Sequence, residues 1–146
     1  MASSSARPTV ERNVRLPACE NGESDTFALR LECDVYRPPE AIQRVKNKDV
    51  FLLLHAHGKL GGSRFMLNAY AILLAMRGFV AYNVSFRGCD GNEKTSRASV
   101  FGEVDARDVL EMVKEIRTRE SVDVEDDVEV KMHVFGYSFG AAVGAN

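Results

Sequence analysis

Apolar residues are spread unevenly along the chain, and their spacing changes near residue 49. Before that point they are sparse. Residues 1–10 are small, polar and aperiodic, which predicts a disordered start, and residues 1–12 are set apart as that segment. Residues 13–17 predict a short first strand. Residues 27–36 alternate partly with period two, as a half-exposed strand does, and Pro38-Pro39 closes the run. Asn21-Gly22 between the two is a turn signal.

Beyond residue 49 the apolar runs become continuous. Residues 50–54 read Val-Phe-Leu-Leu-Leu, as expected of a strand buried on both faces. A loop with Gly58, Gly61 and Gly62 follows. Ser63 is predicted to cap a helix that runs to Arg77 and stops at Gly78. Residues 79–86 predict the next strand, and a loop with Gly88 and Gly91 comes after it. A helix is expected from about Gly102, with Glu103 and Asp105 near its positive end. Its predicted apolar stripe is Val104, Val109, Leu110, Val113 and Ile116. Residues 128–135 predict a third buried strand, and a further helix opens after it. Alternation of strands and helices implies parallel pairing with right-handed crossovers. The predicted fold class is therefore α/β: a mostly parallel sheet with helices on both faces, formed by residues 13–146.

Composition narrows the classes of function. Hydrophobic residues are 45% and charged residues 27% of the 146, with a net charge of -2. That is an ordinary globular balance with mixed signs, so neither a nucleic-acid nor a membrane surface is expected. No apolar window reaches the roughly 18 residues of a membrane span. Cys19, Cys33 and Cys89 have no metal-type or redox-type spacing, and an odd count argues against a disulfide framework. A reducing, cytoplasmic setting is the simplest expectation.

Three segments carry candidate chemistry, each at the exit of a predicted strand. The first is Gly136-Tyr137-Ser138-Phe139-Gly140, a G-x-S-x-G string between strand and helix. In that setting it reads as a nucleophile elbow, which holds a serine hydroxyl clear of the backbone. Ser138 is the candidate nucleophile, and the N–H of Phe139 is placed where an oxyanion would form. The second is His55-Ala56-His57-Gly58 at the end of the first buried strand, where such sheets bind ligands. The two histidines share a face, yet no third ligand of suitable spacing follows, so no metal is expected. The glycine loop after His57 matches neither nucleotide-binding fingerprint, and no cofactor is expected. The third is Phe86-Arg87-Gly88-Cys89-Asp90-Gly91. Its Arg87 is read as an internal pair holding loops together. Asp90, Glu103 and Asp105 are read as turn and capping residues, and His133 as a hydrogen-bonded structural histidine.

Together these segments resemble the α/β-hydrolase superfamily. Residues 55–62, His-Ala-His-Gly-Lys-Leu-Gly-Gly, are similar to the His-Pro-His-Pro-x-x-Gly-Gly loop of a small-hydrolase branch. Ser85-Phe86-Arg87-Gly88 is similar to its next motif, Asn-Phe-Arg-Gly, and Gly102-Glu103-Val104-Asp105-Ala106-Arg107-Asp108 to the Gly-Glu-x-x-Asp helix start that follows. The resemblance runs from about residue 27 onward. It implies an antiparallel start to the sheet, a place near the middle for the strand before Ser138, and a Ser-His-Asp triad with Ser138 as nucleophile. It implies an oxyanion hole from the N–H groups of Phe139 and of His57, with Ala56 the second choice for the latter. Ala56 and Gly58 stand where the branch has prolines, which leaves the aim of that backbone open.

The family places its acid and base after the serine, and only eight residues follow Ser138. The expectation is thus the N-terminal portion of a serine hydrolase, acting on an ester, thioester or amide through an acyl-enzyme on Ser138, with a small-molecule acyl substrate. The alternatives are a rearranged dyad using His55 or His57 as base, and a non-catalytic binding fragment that pairs an open sheet edge with another chain.

Overall fold

The computed structural model describes residues 7–19, 30–42, 47–56, 62–92, 103–122 and 128–145. Five strands form one sheet: β1 (Thr9–Pro17), β2 (Arg30–Arg37), β3 (Asn47–Leu54), β4 (Val80–Val84) and β5 (Glu129–Gly136), in the spatial order β1-β2-β4-β3-β5. β2 is antiparallel to both neighbours, and β3 is parallel to both of its own. The sheet thus has an antiparallel start and a parallel remainder.

Continuous apolar runs became the inner strands because both of their faces are covered. In β3, Val50, Leu52, Leu53 and Leu54 are fully buried, and every residue of β4 is buried. Helix α1 (Asn68–Ala75) joins β3 to β4, and α2 (Glu103–Ser121) leads from β4 to β5. β4 and β5 flank β3 on opposite sides, so crossovers of one hand must pass over opposite faces of the sheet. Two cores result. One packs Leu67, Ala71 and Ala75 against Tyr36, Leu53 and Ala81. The other packs Val109, Met112 and Ile116 of α2, with Val143 of α3 (Phe139–Gly144), against Leu52, Leu54, Tyr82 and Val84.

Several boundaries differ from the sequence reading, each for a local reason. β1 begins at Thr9, so residues 9–11 pair with β2 rather than continuing a disordered segment. A register shift between Glu11 and Val14, with Asn13 at φ +55°, breaks the period-two pattern that would have marked the strand. The helix expected from Ser63 opens instead as a 3-10 turn, Arg64–Leu67, and the Ser63 hydroxyl accepts the Phe65 N–H at 3.2 Å. It ends two residues short of Arg77, at Ala75, and in the turn that follows Gly78, at φ +88°, donates its N–H to the Ala75 carbonyl. In α2, Leu110 is 60% exposed and lies outside the stripe, and Met112 takes the buried place. Met112 lies three residues on from Val109 and Ile116 seven, which keeps the three on one helix face. Gly102 falls outside the described residues.

Among the described residues β5 closes the sheet order, and no strand covers its outer edge. β3 and β5 are adjacent, yet the helices that follow them, α1 and α3, serve opposite cores. In open α/β sheets, ligands bind beyond the carboxyl ends of strands where the following helices diverge in this way.

Candidate active site

The turn at the end of β5 is built by sterics. The Tyr137 N–H continues the parallel ladder to the Leu54 carbonyl at 3.0 Å. Ser138 then takes φ +54° and ψ -115°, a conformation that costs a non-glycine residue about 1–3 kcal/mol. α3 starts at the next residue, with the N–H groups of Ala141 and Ala142 both bonded to the Ser138 carbonyl. So sharp a reversal leaves no room for side chains beside it. A Cβ on Gly136 would stand 2.4 Å from the Ala141 backbone, and one on Gly140 would stand 2.2 Å from the Leu54 carbonyl oxygen. The Ser138 side chain caps no helix N–H and is exposed to solvent. The result is an exposed serine at the carboxyl end of β5, held by a strained backbone.

The end of β3 lies against this turn. Besides Leu54, the hypothetical Gly140 Cβ would meet the His55 carbonyl oxygen at 2.8 Å. The His55 ring is fully buried and bonded on both sides. Its Nε2 accepts the Phe86 N–H at 3.2 Å, and its Nδ1 lies 2.6 Å from the Ala56 carbonyl oxygen. An N–H donor at Nε2 leaves the ring proton on Nδ1, where it donates to that carbonyl. The ring packs edge-on to Phe86 at 4.9 Å, and Phe86 packs edge-on to Phe139 at 5.5 Å. An aromatic row therefore ties the ends of β3 and β4 to the start of α3. His57, the expected second oxyanion donor, lies outside the described residues.

The third segment supports the site from below. The Arg87 guanidinium makes a bidentate pair with the buried Asp108 carboxylate, at 2.6 and 2.7 Å, and donates to the Cys19 carbonyl at 2.9 Å. The hydrogen bond to Asp108 raises the Arg87 pKa further. Arg87 is thus an internal clamp, as read from the sequence, and Asp108 is the partner that reading did not name. Burial lifts the Cys19 thiol to about 11 and the Cys33 thiol to about 12, which leaves neither as a thiolate nucleophile. Asp90 accepts the Arg64 N–H at 2.9 Å and the Ser85 hydroxyl at 2.6 Å. Burial alone would raise its carboxyl, but hydrogen bonds from Ser63, Ser85 and the Arg64 backbone bring it below the ordinary value. Asp105 is buried on α2. His133 sits 2.8 Å from Asp49 and stacks on Phe51, the structural role expected of it.

The buried charge at Arg64 had no signal in the sequence. Arg64, 3% exposed, reaches Ser85 and Asn13 with its guanidinium, both at 2.8 Å, and lies 3.4 Å from the fully buried Asp34. It locks the segment that follows Gly62 to β1, β2 and the loop after β4. Among the described residues no group of three His, Cys, Asp or Glu side chains is arranged to hold a metal ion. No described helix is long and apolar enough to cross a membrane. An apolar cavity of about 190 Å³ is lined by Phe51, Tyr70, Leu73, Leu74, Arg77 and Phe135, between α1 and the sheet.

No protein-family model and no curated protein matches the chain. Solved structures do. An α/β serine hydrolase without a lid from Xanthomonas campestris superposes with a TM-score of 0.60 at 17% identity, over 94% of this chain and 54% of that one. A bacterial heroin esterase gives 0.57 at 16%, over 93% and 38%. An acylaminoacyl peptidase from Pyrococcus horikoshii gives 0.55 at 17%, over 94% and 20%. The chain therefore has the α/β-hydrolase fold, and it spans about half or less of the length of these relatives.

Proposed function

We propose that this chain carries the nucleophile of a serine hydrolase that cleaves an ester, thioester or amide through an acyl-enzyme on Ser138. The observation that supports this most is the backbone of Ser138: a strained, exposed serine between strand and helix, on a fold whose solved examples include esterases and peptidases. In this reading Ser138 Oγ attacks the acyl carbonyl while a base takes its proton. The N–H of Phe139 and a second amide from the loop after β3, assigned to His57, stabilise the oxyanion. The tetrahedral adduct expels the alcohol, thiol or amine, and water then releases the acid.

The base belongs to the wider proposal. His55 has both ring nitrogens engaged with backbone, and His133 is engaged with Asp49, so neither described histidine suits the task. That weighs against a rearranged dyad through His55. The triad histidine and acid are assigned to the part of the fold that the longer relatives possess and this chain does not span. A binding role is the second reading, favoured by the uncovered edge of β5 and the exposure of Val134, Phe135 and Tyr137.

Hydrolysis of a series of nitrophenyl acyl esters by the full-length protein tests the assignment. Ser138→Ala should abolish turnover while leaving the circular dichroism spectrum unchanged. Turnover undiminished in a folded Ser138→Ala protein would remove Ser138 from the mechanism.

A further inference from the structure

We propose that Arg64 is a conformational latch: its buried guanidinium holds two left-handed backbone positions at once, Asn13 in the β1 bulge and Asp90 in the loop after β4, so that the antiparallel edge of the sheet and that loop release together. The latch stands apart from the reaction assigned to Ser138.

Three observations carry it. First, backbone strain converges on this residue. Among the described residues the non-glycine positions with positive φ are Asn13 at +55°, Asp90 at +50° and Ser138 at +54°. Ser138 belongs to the elbow, and the other two both meet Arg64. Asn13 Oδ1 accepts from its guanidinium at 2.8 Å. Asp90 accepts its backbone N–H at 2.9 Å and lies 3.6 Å from Nη1. Asn and Asp are the side chains that best tolerate the left-handed region, and here each also spends its polar end on Arg64. Asn13 is gripped twice, since its N–H donates to the Asp34 carboxylate at 3.1 Å.

Second, the charge is enclosed. Arg64 is buried, and the Phe65 ring packs 4.9 Å from its guanidinium carbon while remaining 55% exposed itself, as a cover does. A cation so placed must be matched from inside the protein. Asp34 at 3.4 Å, Asp90 at 3.6 Å and Glu32 at 3.7 Å are its carboxylates, and the Ser85 hydroxyl accepts at 2.8 Å. Removing a partner leaves charge buried and poorly paired, which costs far more than losing a surface contact.

Third, the partners come from separate elements. Asn13 is on β1, Glu32 and Asp34 are on β2, and Ser85 and Asp90 follow β4. A planar fork of five donors can serve them together, and an ammonium cannot. Such a network is stable when complete and poor when partly satisfied, so its two strained ends are coupled.

Amide hydrogen exchange in the full-length protein reads that coupling. The Asn13 N–H is held by Asp34 and the Arg64 N–H by Asp90. Asp90→Asn should speed exchange at the Asn13 amide, and Asn13→Gly should speed it at the Arg64 amide, each by ~2-fold or more, while the amides of β3 keep their rates. Arg64→Met should speed exchange at the Asn13 amide by ~10-fold or more, and Arg64→Lys should recover little of that. Urea unfolding adds a sign. With Arg64 in place, Asn13→Gly should raise the unfolding constant, because it deletes a bond to a buried charge. In the Arg64→Met protein the same change should lower it, because only the strained φ is left to relieve. Exchange that changes only on the mutated side would overturn the proposal. So would equal acceleration of the β3 amides, which means global opening, or an Asn13→Gly effect of one sign and size whatever stands at residue 64. Should Arg64→Met fail to fold, Asp90→Asn and Asn13→Gly decide alone: acceleration across the network supports the latch, and its absence overturns it.

Discussion

Ser138 holds its position against its own backbone preference, and that has a measurable consequence. A positive φ is unfavourable for serine and alanine alike, because both carry a Cβ, whereas glycine adopts it freely. Ser138→Gly should therefore stabilise the protein by up to about 1 kcal/mol in urea unfolding, while Ser138→Ala should not. Equal stabilities for the two variants would mean that no strain is stored there. A second single-residue effect concerns Glu120, which is buried and bonded to Arg37 and Lys48, with Tyr82 donating its hydroxyl. Burial would raise its carboxyl, but those three partners more than offset this and hold it at about 2, below the ordinary 4.5. Its contribution, on the order of 2 kcal/mol, is complete above the unfolded value and is lost as pH falls through the folded one. The stability gap between wild type and Glu120→Gln should be widest at neutral pH and shrink below about 4.5; a gap that does not vary with pH would contradict the assignment. Neither Glu120 nor Arg64 was legible in the sequence. Their partners lie far away in the chain, and nothing in a hydrophobic pattern distinguishes a buried charge from a solvated one. Arg87 was legible in part, since its loop position indicated an internal pair but not Asp108.

At the level of elements, period and punctuation decided what could be read. The runs at β3 and β4 were plain because a strand covered on both faces needs no polar alternation, whereas β5, expected as a third buried strand, has only half-buried and exposed residues because it lies at the edge of the described sheet. β1 was shortened by its bulge, and Leu110 was misplaced because an α-helix turns about 100° between successive residues, so neighbours Val109 and Leu110 cannot share one narrow stripe. The elbow glycines were recognised by motif, and the structure adds their reason: Gly136 and Gly140 lie where a Cβ would meet backbone. β5 is the element with the most exposed liability. Its outer edge has no strand partner among the described residues, and Val134 and Phe135 are 45% and 37% exposed. Uncovered apolar edges recruit other chains. Sedimentation equilibrium of the 146-residue chain should show mass rising with concentration, and Phe135→Lys should reduce it. A chain that stays monomeric throughout would count against an adhesive edge.

For the whole molecule, topology does the assembling. Crossovers of one hand, with β4 and β5 on opposite sides of β3, send α1 and α2 to opposite faces, and the ends of β3 and β5 lie side by side. The Ser138 turn and the His55–Ala56 backbone meet there because those two strands are neighbours. The order of motifs made this meeting legible in advance, while the buried His55 ring and the close approach of Gly62 to the Ala56 carbonyl were not, because only packing reveals them. The fold is shared with longer chains, of which this one spans between 19% and 54%. The central claim is chemical, that Ser138 is an activated nucleophile. Treating the full-length protein with a fluorophosphonate and mapping the adduct by peptide mass spectrometry tests it most directly. The prediction is a single phosphonylated peptide containing Ser138, absent from Ser138→Ala; an unmodified Ser138 in folded protein, or labelling that persists in the variant, would contradict it.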